Sequence, residues 1–164
     1  MRRPDITGRA DWPFLREGAV TLFTATSALS DAIGRLSDAG YSVQRIDCAD
    51  ERHMVRDLNI ALRWEARMGY RPEALNLDAL HDALGDEPGP DRPLLLLVLD
   101  GFDAFRARDV RRAHLVLDIL AGASRDHLLF DERLVIFVVT AERGLQIDNL
   151  GGRPTQWNRL ETAT

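Results

Sequence analysis

The chain has 164 residues, 45% of them hydrophobic, and a formal net charge of −5. That length suits a single domain, which buries roughly 68–70% of its unfolded surface and needs neither disulfide nor metal to hold it together. The acidic balance argues against a duplex-DNA or anionic-membrane surface.

Residues 1–16 mix Arg, Pro, Asp and Gly and read as an irregular arm. Residues 1–11 are charged and lack the apolar run of a secretory leader. Residues 19–24 are β-prone and predict a first strand. Ala28, Leu29, Ala32, Ile33 and Leu36 share one helical stripe, and Gly40 stands where a cap glycine belongs. Residues 41–46 alternate and predict a second strand, expected beside the first. Cys48 is the only cysteine, so no internal disulfide can form. A reducing cytoplasm is the expected compartment. Asp47 or Asp50 can cap a helix that carries Val55, Leu58, Ile60, Leu62 and Trp64 and ends near Met68 and Gly69.

A short amphipathic helix follows over residues 76–84, with Leu77, Leu80 and Leu84 three and four apart on its inner face and Gly85 as its stop. Residues 85–91 have loop composition. Residues 94–99 form a continuous apolar run, too short for a free-standing helix and suited to a strand covered on both faces. A turn at 101–105 leads to a helix over 110–128, with Leu115, Leu117, Ile119, Leu120 and Ala123 inward. Residues 134–139 form another apolar strand, and 141–164 read as an irregular tail. The expected fold class is α/β: one domain, residues 17–140, with a parallel sheet of about four strands flanked by helices.

The spacing on the short helix divides its faces. With the leucines inward, Asp78, His81 and Asp82 point outward, the two carboxylates one turn apart. Between residues 73 and 109 there are nine acidic residues against three arginines, so the rest of the chain is near neutral. An acidic stretch of this kind suits a cationic partner, and it also suits a solvated helix face. Asn76 fits two roles, helix cap or contact.

Residues 76–84, Asn-Leu-Asp-Ala-Leu-His-Asp-Ala-Leu, resemble the barstar family, whose members carry Asn, an apolar residue, Asp-Ala-Leu, often Trp, then Asp. The resemblance extends over residues 41–140 in the order of elements. His81 stands where Trp is common, and residues 71–75 separate the Asn from the nearest aromatic, Tyr70. The resemblance implies a barstar-like fold and a non-catalytic inhibitor binding a cationic ribonuclease, such as a toxin, with carboxylates in place of RNA phosphates. A barstar-shaped module that binds a non-nuclease protein is the alternative. Asp78, Asp82, His81, Asn76 and Glu87 are the expected contact residues. No cofactor, metal, nucleic acid or membrane is implied.

An enzymatic reading is weaker. Residues 94–100 end an apolar strand in Asp, as in a P-loop NTPase, yet the chain holds no Gly-x-x-x-x-Gly-Lys-Ser/Thr loop and no lysine at all. His53, His81, His114 and His127 have no His or Cys partner at metal-ligand spacing and are expected at the surface or partly buried.

Overall fold

In a computed structural model, the described residues are 8–24 and 26–158. They form α1 (Trp12–Leu15), β1 (Val20–Phe23), α2 (Ser27–Asp38), β2 (Ser42–Asp47), α3 (Glu51–Ala61), α4 (Trp64–Met68), α5 (Leu77–Asp86), β3 (Leu94–Asp100), α6 (Phe102–Arg108), α7 (Val110–His127), β4 (Arg133–Val139) and β5 (Gln156–Trp157). The sheet order is β2-β3-β4-β1-β5, and every neighbouring pair is parallel.

The two apolar runs lie at the centre, as a strand covered on both faces must. Side chains alternate along β3. Leu95, Leu97 and Leu99 join the core under α3, α5, α6 and α7, while Leu96 and Val98 join the core under α2. Phe14 of α1 closes the second core, its ring centroid 5.0 Å from that of Phe137. Helices thus cover both faces, as the sequence predicts.

The first strand corrects an expectation. It pairs with β4 and β5, not with β2. All four of its residues are buried, whereas β2 carries Ser42, Gln44 and Arg45 and is half exposed. A strand buried throughout needs neighbours on both edges; a polar strand tolerates an edge. The tail is also more ordered than expected, since Gln156 and Trp157 add a fifth strand beside β1. Within the arm, Asp11 is buried and accepts hydrogen bonds from Tyr41 Oη at 2.7 Å and Arg9 Nη2 at 2.8 Å. Burial opposes its ionisation, but the bonds from Arg9 and Tyr41 outweigh it and hold the carboxyl below its ordinary value.

The predicted helix ending near Met68 is two helices. Arg63 breaks it in the left-handed region at φ 50°, a conformation that costs a residue with a Cβ about 1–2 kcal/mol. The guanidinium of Arg63 reaches Glu87 and Asp91 from that position. After β3 the chain turns at Gly101, φ 66°, where a Cβ would lie 2.9 Å from that of Ala49, so only glycine fits. The short turn expected there continues as a full helix, α6.

Cys48 is fully buried, and burial, helped by the charge of Asp47, pushes its thiol up to about 12. The thiolate is the reactive form, so at pH 8 the native thiol should be alkylated at least about a hundredfold more slowly than the unfolded one. A timed iodoacetamide reaction in buffer and in denaturant checks this; equal rates would contradict the burial.

Candidate partner-binding face

The acidic helix α5 begins at a true N-cap. Asn76 is extended, and its side-chain oxygen accepts from the Ala79 amide at 3.0 Å. Replacing Asn76 with Ala should therefore lower stability by about 1 kcal/mol, and Asp in its place should keep most of it. Urea midpoints of the two variants test the cap.

Burial along α5 follows its spacing. Ala79, Leu80, Ala83 and Leu84 are buried, and Leu77 packs against the same core. The helix does not stop at Gly85, whose surroundings are open. It runs to Asp86 and ends at Glu87, which is extended because residue 88 is proline.

Both ends of α5 are tied down. Before it, the Arg112 guanidinium donates to the Leu75 carbonyl and lies 3.0 Å from Glu51. Near its end, His127 of α7 places Nε2 2.5 Å from the Leu84 carbonyl and Nδ1 2.6 Å from Glu132 Oε2. His127 is only 5% exposed, so the surface default for histidines fails at this position. Glu132 lies only five positions away, but the Leu84 carbonyl lies 43 positions away, and no local pattern in the sequence marks that contact.

The outer face of α5 is free. Asn76, Asp78, His81 and Asp82 are exposed. The side chains of His81 and Asp82 are 76% and 69% exposed, with Nδ1 3.9 Å from Oδ1. Among the described residues, no arginine comes within ion-pair distance of Asp78 or Asp82. Elsewhere many arginines are engaged with carboxylates: Arg45 with Asp100 at 2.7 Å, Arg56 with Asp57 at 3.1 Å, Arg133 with Asp11 at 3.1 Å. Beside His81, a groove between α5 and α7 encloses about 510 Å³ and is flanked by Phe130.

Glu87 is the correction within the site. Expected as a contact, it is 0% exposed. Arg63 Nε and Arg67 Nε donate to its Oε1 at 2.5 and 2.8 Å, and Arg92 Nη2 to its Oε2 at 2.9 Å. A carboxylate enclosed by three guanidiniums is spent on internal structure and is not offered to a partner.

Among the described residues no cluster of three or more His, Cys, Asp or Glu is placed to hold a metal ion, and no helix is long and apolar enough to cross a membrane. Comparison with curated proteins and with solved structures finds no match. The sequence does match the family described as Barstar (barnase inhibitor) over residues 42–142, from the start of β2 to just past β4. That span covers more than half of the chain and contains the whole of α5 with both of its tethers: the chain belongs to the barstar family.

Proposed function

We propose that this protein is a non-catalytic inhibitor that fills the active site of a cationic ribonuclease with the outer face of α5. A ribonuclease must hold phosphates, so its cleft offers Arg, Lys and His donors. Asp82 is the chief anchor in this reading, standing in for a phosphate. Asp78 supplies a second charged contact, and His81 stacks or hydrogen-bonds beside them. Asn76, its oxygen committed to the cap, contributes its amide nitrogen. Glu87 takes no part.

The observation that supports this best is the contrast between neutralised and open carboxylates. In a chain where many arginines pair with acids, Asp78 and Asp82 have no arginine partner among the described residues, on a helix fixed at both ends. A fixed helix loses little entropy on binding, which favours affinity. The family's members are inhibitors, and an immunity partner for a ribonuclease toxin, made in the same cytoplasm, is the role that follows.

His81 in place of the family's common Trp favours a second reading, a barstar-fold module for a non-nuclease protein. Titration of purified cationic microbial ribonucleases separates the two. Stoichiometric loss of RNA cleavage supports inhibition; full cleavage at saturating protein with every nuclease rejects it.

A further inference from the structure

We propose a second binding site, unrelated to α5, that takes a small carboxylic acid with an apolar body. It is a cavity of about 280 Å³ where α1, the start of β1, the second half of α7 and the segment 150–155 meet. Its apolar walls include Leu15, Val20, Leu128 and Leu150, and Trp12 lies at its side. This is near the lower end of the size at which pockets hold small ligands, and mostly apolar walls with a few polar groups are their common make-up.

The charged groups are all of one sign. Arg16, Arg125 and Arg153 line the cavity, and no Asp or Glu does. In a chain of net charge −5 that is a local reversal of sign. Two of these guanidiniums are weakly engaged. Arg125 makes one long bond, 3.4 Å, to the Gly151 carbonyl. The Arg153 guanidinium has no hydrogen bond or ion pair among the described residues, in contrast to the paired arginines around Glu87. Thr155 lines the cavity as well. A carboxylate bound between Arg125 and Arg153 would pair with both guanidiniums, while its hydrocarbon covers the leucines. Charge and shape together select a monoanion with a short tail over a neutral apolar molecule.

Octanoate is the probe, with octanol as the neutral molecule of equal length. The full chain should bind octanoate one to one in calorimetry, at least about tenfold more tightly than octanol. Trp12 emission should follow the same isotherm, and the response should vanish in Trp12→Phe. Arg153→Glu, at an exposed position, should weaken octanoate about tenfold or more with the far-UV spectrum unchanged. Arg125→Gln gives the same reading by a second route. Equal affinity for octanol, unchanged affinity in both arginine variants, or no saturation up to roughly 10 mM octanoate overturns the site. Ribonuclease inhibition is measured separately, so the two readings fail independently.

Discussion

The double substitution Asp78→Ala/Asp82→Ala is expected to weaken capture of a cationic ribonuclease by about 3–5 kcal/mol, some two to four orders of magnitude in Kd. Each lost carboxylate removes a charge-assisted hydrogen bond and leaves a donor in the partner's cleft unpaired. Asp82 should carry the larger share, being set toward the middle of the exposed face and 69% exposed. Folding should survive. Asp78 lies in the first turn of α5, where it complements the helix dipole, so its loss costs up to about 1 kcal/mol. Asp82 lies in the middle of the helix, outside both terminal turns, and Ala is the better helix former, so Asp82→Ala should be neutral or slightly stabilising. Binding by calorimetry and unfolding in urea, on the same samples, read the two effects apart. A double variant with wild-type affinity would remove α5 from the interface altogether. The association rate of the wild type should also fall as salt is raised, because the attraction between exposed charges is screened beyond about 10 Å at 0.1 M.

The physics of burial explains which features were legible in the sequence. The runs at β3 and β4 announce themselves because a strand covered on both faces has no polar side to alternate with. Leu80 and Leu84, one turn apart behind an Asn cap, mark α5 and so mark the opposite face as Asp78, His81 and Asp82. Sheet order was harder. The burial of Val20, Thr21, Leu22 and Phe23 against the polar pattern of β2 does carry the signal for β1 beside β4, but only when the two strands are compared. β5 has two residues and no apolar run, so nothing local marks it. The break at Arg63 has no glycine or proline to announce it; it exists because a guanidinium must reach Glu87 from across the chain. Glu87 itself looked like one more acid in an acidic loop. Composition cannot separate a solvated carboxylate from a buried one, since the difference lies in where Arg63, Arg67 and Arg92 converge.

That convergence makes Glu87 the residue whose loss should harm the fold most. Glu87→Ala is expected to destabilise the protein by about 3 kcal/mol or more, because deleting one member of a buried ion cluster strands the others. Arg92 is the most enclosed of the three guanidiniums and also donates to the Ala61 carbonyl, so it cannot simply swing into water. Arg63 and Arg67 are about one-third exposed, and Arg63 keeps Asp91 as a partner, which places the loss at the lower end of the range for buried pairs. Glu87→Gln keeps the shape and one acceptor oxygen, so its cost should be smaller. Acid should act on the same cluster through Asp91. The hydrogen bond from Arg63 is the main cause that lowers its carboxyl to about 2 from the ordinary 3.8. A lowered folded-state value means that Asp91's contribution is present above 3.8 and is lost as pH falls toward 2, so Asp91→Asn should flatten the acid limb of the stability curve there. Glu87 is also the C-cap of α5, its amide donating to the Ala83 carbonyl at 3.2 Å. Loosening it frees the end of the helix on which Asp82 sits, so Glu87→Ala should weaken partner binding as well, even though its own carboxylate never meets the partner. Urea unfolding of Glu87→Ala within about 0.5 kcal/mol of wild type would mean that the three arginines are not held as described.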